Sequence, residues 1–317
     1  MVEYQNYRLT HLFIYALSFV GIWIGSGLAI GSVERLSKIL KASSFAVSFL
    51  VLGFFTSVRE FSVGVNSIIQ NDPEIYVGNL LGASVVLFLM IIPLLAILGN
   101  GVKLSHQLTT SRLILSLYTI GLPSLVIIDG NLTLAESLLL VSIYIFLLYA
   151  LEKKKGLLDH FRDKFLTGKR EIYKDLIKII IGSFIVYMAS SILVDKTILF
   201  SEIFGVSPFL LSLLGLSIGT NLPELSIALK AASTGKKEIA LGDYVGSAAA
   251  NTLIIGVLSL INAKTLRLQN HFIITFLFMF TGLFLFYYFT RSKNDISRKE
   301  GYVLIFVYIA FFLLELT

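Results

Sequence analysis

Cysteine is absent from the chain, tryptophan occurs once, proline five times and histidine four times, and charged residues make up only 15% of the total. The missing cysteine excludes disulfides and thiolate metal sites and leaves the redox compartment open. So little charge, set against 56% hydrophobic residues and a mean hydropathy of +0.84, excludes a soluble globule of 317 residues, which would need more polar surface. A phosphate-binding loop is missing too: Gly235-Lys236-Lys237 lacks the upstream glycine and the closing Ser or Thr. The net charge of +6 would suggest nucleic acid in a soluble protein, but here the basic residues lie between apolar runs and report orientation instead.

Ten apolar stretches are long enough, or nearly so, to cross a bilayer as helices, at roughly 9–33, 43–69, 76–99, 104–127, 133–151, 174–196, 207–233, 238–263, 268–290 and 299–316. Of the 26 Lys and Arg residues, 16 fall in one set of alternate loops, three in the other set with the tails, and seven within the spans as bounded. This asymmetry puts the first set in the cytoplasm and both termini outside, in a multi-pass protein of the cell membrane.

The chain repeats itself. Residues 43–91 slide onto 207–255 at an offset of 164 without a gap and match at 14 of 49 positions. Polar and glycine matches stand out among them: Thr56/Thr220, Glu60/Glu224, Ser62/Ser226, Gly78/Gly242 and Gly82/Gly246. Five spans separate equivalent points, so the second copy crosses the membrane in the opposite sense. The expected fold is all-α, ten transmembrane helices as two inverted five-helix repeats, 1–151 and 174–317. A basic cytoplasmic linker at 152–173 joins them, read either as a charged loop or as an amphipathic helix on the inner leaflet. Inverted repeats are the architecture of many secondary transporters, with the ion site near the midplane between broken helices.

Within the second copy, "GTNLPEL" (219–225) puts a glycine, one of the few prolines and an ionisable Glu224 inside an apolar span. A carboxylate there is costly and marks function by default. Pro223 removes a backbone donor and frees a carbonyl of the preceding turn. The equivalence of Glu224 to Glu60 argues against an acid that merely satisfies neighbouring hydroxyls.

These motifs resemble those of the cation/calcium antiporter superfamily, which includes the sodium/calcium exchangers. That family carries two copies of G-T-S-x-P-E, each followed about 20 residues later by G-N-x-x-G-S-N and an Asn or Asp. "GTNLPEL" with "GDYVGSAAAN" matches the pattern closely, whereas "FTSVREF" with "GNLLGASVVL" is a degraded copy. The resemblance implies ligands at Thr56, Ser57 and Glu60 from the first repeat and at Thr220, Asn221, Glu224, Ser247 and Asn251 from the second. Two expected ligands are missing, since Ala83 stands opposite Ser247 and Leu87 opposite Asn251.

No covalent cofactor, enzyme chemistry or nucleic-acid partner is expected. The partners are the bilayer and small inorganic cations, Ca2+, Na+ or H+, moved by antiport. A cation sensor that keeps the exchanger fold without coupled exchange is the alternative. Hard cations take oxygen, and calcium takes six to eight. Two glutamates with neutral hydroxyls and amides suffice in number. Arg59 complicates the charge, because it replaces the proline of the first motif beside Glu60; in the site it would reduce a fixed charge of two acids to −1. Three placements are open: within or beside the site as a tethered cation, paired with another acid or carbonyl, or snorkelling along a water-filled path. Asp243 reads either as an interfacial acid or as a way-station on the inner path. The paired glycines Gly78/Gly82 and Gly242/Gly246 read as close helix contacts.

Overall fold

Apolar runs of this length hide their backbone polar groups from lipid by forming helices, and helices dominate the chain. The computed structural model describes residues 2–39, 57–103, 110–152, 170–235, 237–268, 272–292 and 295–316. Thr56, the first part of the expected second span and most of the basic linker lie outside the described residues.

Helix α1 (Val2–Ile39) is followed by α2 (Val58–Ile69) and α3 (Glu74–Val86), which runs through a π-helical turn (Leu87–Ile91) into α4 (Ile92–Leu98). Next come α5 (Thr110–Val126), α6 (Leu134–Glu152) and α7 (Arg170–Phe204). Short α8 (Pro208–Leu211) passes through a second π-helical turn (Ser212–Leu216) into α9 (Ser217–Thr220), then α10 (Leu222–Thr234). The chain closes with α11 (Lys237–Asn262), α12 (Ile273–Ser292) and α13 (Arg298–Glu315). Five of these runs are long and apolar enough to cross a membrane, and a sixth is made by α8–α9 with α10, bent by 43°. Helices α1 and α7 extend well past the expected spans 9–33 and 174–196, because hydropathy marks the lipid and not the helix end.

Two spans form the centre. The α3–α4 run and α11 have 83% and 78% of their apolar windows buried, against 28% for α6. Between and around them packs one large apolar cluster that includes Leu80, Phe88, Phe209, Tyr244, Ile255 and Phe286. Outward side chains such as Phe13, Phe146, Phe284 and Phe306 are exposed, as a lipid-facing shell requires. At one end of the molecule the Lys237 ammonium donates to the carbonyls of Gly99 and Gly101, just past the C-terminus of α4, where a cation suits the helix dipole.

The offset of 164 recurs in the backbone. Two strand pairs join distant parts of the chain: β1 (Val102–Lys103) with β4 (Asp295–Ile296), and β2 (Asn131–Leu132) with β3 (Leu266–Arg267). Adding 164 carries β1 onto β3 and β2 onto β4, so one pair is the image of the other. Asn71 and Gly235, also 164 apart, both take left-handed φ values of 60° and 76° after α2 and α10, a conformation that Asn and Gly tolerate best. Ser57 (ψ 2°) and Asn221 (ψ 6°), equivalent again, are the non-helical residues from which α2 and α10 start.

Candidate functional site

Those two helix starts hold the acids. Glu60 lies in the first turn of α2 and Glu224 in the first turn of α10, where the unsatisfied N–H groups of a helix N-terminus favour negative charge. Behind Glu224, Pro223 cannot donate to the carbonyl of Gly219 four residues back, and the chain bends there. No proline stands behind Glu60, yet α2 starts at the equivalent place, with Arg59 in the position of Pro223.

Every described member of the expected ligand set is buried: Ser57, Glu60, Thr220, Asn221, Glu224, Ser247 and Asn251 are each exposed by 2% or less. Contacts between the two copies run through them. The Ser57 and Ser247 hydroxyls are 3.3 Å apart. Thr220 Oγ1 donates to Asn79 Oδ1 at 3.2 Å, and Asn251 Nδ2 donates to Ser84 Oγ at 3.1 Å and to the Leu80 carbonyl at 3.4 Å. Asn221 behaves differently, turning its amide back onto the Ser217 carbonyl of its own helix at 2.7 Å. Tyr244 fixes the α10 backbone by donating to the Glu224 carbonyl at 2.9 Å.

One of the three open placements of Arg59 is ruled out by its contacts. Its guanidinium is fully buried, hydrogen-bonded to Glu224 Oε1 across the copies, with Nη2 3.8 Å from Glu60 Oε1. Snorkelling is thereby excluded. The two acids are joined through this cation, which lies between them. Glu60 Oε2, Glu224 Oε2 and Asn251 Oδ1 are buried acceptors without a hydrogen-bond partner among the described residues, as is the donor Asn79 Nδ2. Buried oxygens left unsatisfied are costly and call for a ligand, ion or water.

Three readings of the sequence change. Asp243 is buried within the protein, 1% exposed, and does not stand at its surface. Ser84, one residue past Ala83, supplies a hydroxyl in the neighbourhood where one was thought missing. Asn79 was overlooked, although the offset of 164 aligns it with Asp243 and it is the Asn of "GNLLG". Among the described residues no group of three or more His, Asp or Glu side chains is arranged to hold a metal, so a bound ion would draw on neutral oxygens as well.

A family model described as sodium/calcium exchanger protein matches residues 10–151 and 174–317. The chain belongs to the sodium/calcium exchanger family. Among its relatives, CaxA of Alkalimonas amylolytica, named as an antiporter, is 24% identical over 300 residues, covering 92% of this chain and 93% of its own. Sodium/calcium exchanger MaX1 of Methanosarcina acetivorans is 30% identical over 139 residues, 44% of this chain and 39% of that one. A solved structure of the sodium-calcium exchanger NCX_Mj superposes with a TM-score of 0.67 at 21% identity, over 95% of this chain and 97% of that one. Family membership makes the chain a multi-pass membrane transporter of the cation antiporter superfamily; the likeness to NCX_Mj shows the exchanger fold.

Proposed function

We propose that this exchanger-family member is a secondary antiporter that carries a small inorganic cation, with calcium, sodium and protons the candidates, by alternating access of one central site. The ligands are Glu60 and Glu224, with Ser57, Thr220, Ser247 and Asn251 and, in addition to the residues read from sequence, Asn79. Thr56 and Asn221 complete the set that the family motif implies. Ten spans in two inverted halves, with both termini outside, are the frame. The observation that supports this most is the meeting of two repeat-equivalent acids, each at a helix start, around one buried and partly unsatisfied group of oxygens.

Flux in proteoliposomes tests the reading. Radiolabelled calcium and sodium uptake, each with and without an imposed pH gradient, is expected to show cation movement driven by an opposing gradient of a second cation. Absence of uptake under every pairing rejects it.

A second reading, cation sensing without exchange, is favoured by one observation: Arg59 already occupies Glu224 Oε1. Ion-dependent thermal stabilisation without flux would select it, because a ligand that binds only the folded state raises the melting temperature by mass action.

A further inference from the structure

We propose that Arg59 is a tethered cation that takes the place of a metal ion at Glu224, so that the site accepts a monovalent cation in preference to calcium. The inference rests on the antiporter reading of the same site and adds the class of substrate.

Arg59 is the one residue that breaks the symmetry of the two acid motifs in charge. At the equivalent position the second copy has Pro223, which carries none, while the acids themselves are matched. A guanidinium is planar, presents five donors and keeps its proton at any working pH. It therefore cannot leave the site by becoming neutral. Held at Glu224 and 3.8 Å from Glu60, it takes the same lone pairs that a hard metal ion would need.

Oxygen supply points the same way. Among the described residues the buried site acceptors without a partner are Glu60 Oε2, Glu224 Oε2 and Asn251 Oδ1, and the Ser57, Thr220 and Ser247 side chains are buried as well. Calcium draws six to eight oxygens, with charge supplied by carboxylates, and here one carboxylate already serves the guanidinium. Arg59 stands against the two acids it contacts, Glu60 and Glu224, so that pair of carboxylates keeps a net charge of −1. A second full divalent charge beside Arg59 would meet direct repulsion at short range; a monovalent ion meets half of it.

Purified protein in detergent, titrated with calcium or sodium, tests the proposal through equilibrium dialysis and melting temperature, without reliance on transport. Arg59→Pro restores the residue found in the second copy, and proline is tolerated in the first turn of a helix. Arg59→Gln keeps the side chain's length and polarity and serves if the proline variant folds poorly. Either change is expected to raise calcium affinity by about tenfold or more, whereas Arg59→Lys, which retains the charge, stays near the parent. Calcium affinity equal to or below the parent's in both neutral variants overturns the proposal, as does calcium binding in none of the proteins. Glu224→Gln separates the two levels of inference. Should it abolish ion binding while the neutral Arg59 variants match the parent, the site stands and the role of Arg59 falls; should it leave binding unchanged, both fall.

Discussion

Glu224→Gln and Glu60→Gln are each expected to lower cation flux in proteoliposomes by about a hundredfold or more, which corresponds to roughly 2.7 kcal/mol. Each removes one of the two carboxylates from a buried site whose other members are neutral oxygens and a guanidinium, so the potential that draws a cation in is weakened in both variants. Their stabilities should nevertheless differ. Glu224 accepts the hydrogen bond from Arg59, while Glu60 lies 3.8 Å from the same guanidinium. Breaking a buried ion pair on one side costs about 3–5 kcal/mol because a charge is left uncompensated. Glu224→Gln should therefore melt several degrees below the parent, and Glu60→Gln much less. The double variant Arg59→Gln with Glu224→Gln removes both charges and should recover most of the lost stability without recovering flux. Undiminished flux in both single variants would remove the acids from transport, and equal melting temperatures would remove the ion pair from the energetics.

Much of this site could be read before any coordinates because polar residues in lipid are too costly to recur by accident. Glu224, Ser247 and Asn251 announced themselves by standing in apolar spans, and the gap-free offset of 164 drew Glu60 in with them. Other features left no such mark. Residues adjacent on a helix point in different directions, so sequence could not say whether Arg59 turns toward Glu60, toward Glu224 or away from both. Asp243 follows a stretch with lysines at 236 and 237, and a hydropathy boundary set there makes an acid six residues on look interfacial. In fact α11 is buried from near its start, with Ala240, Leu241, Tyr244 and Val245 all 1% exposed or less. Ser84 was missed by one position, since matching the copies residue by residue stops at Ala83. The two-residue strand pairs carry no alternating pattern and are too short to read, and nothing in the apolar residues of Leu87–Ile91 and Ser212–Leu216 marks them as π-helical turns.

Gly82→Val is expected to abolish the folded protein, or to lower its melting temperature so far that little survives purification in detergent. The expectation that Gly78 and Gly82 bring helices together is met in an extreme form. A Cβ on Gly82 would lie 2.2 Å from the Leu213 carbonyl oxygen and 2.8 Å from Ser217 Cβ, and one on Gly78 would lie 2.5 Å from the Phe209 carbonyl oxygen. Backbone atoms cannot step aside as a flexible side chain can, so α3 would have to part from the α8–α9 stretch, and displacements of that kind in a packed core cost several kcal/mol. Gly215 is the control: it faces outward, an added Cβ would approach only Leu211 Cδ1 at 3.6 Å, and Gly215→Ala should be neutral or slightly stabilising. A melting temperature for Gly82→Val equal to that of the parent would show that the two segments are not held this close. The same contact bears on the ion site. Asn79 lies one helical turn before Gly82 and reaches Thr220 at 3.2 Å, while Ser217, against which Gly82 packs, supplies the carbonyl that holds Asn221. Gly82→Ala, with the smallest possible Cβ, should therefore weaken cation binding together with stability, because the approach that only glycine permits also sets the distance between the amide of one copy and the threonine of the other.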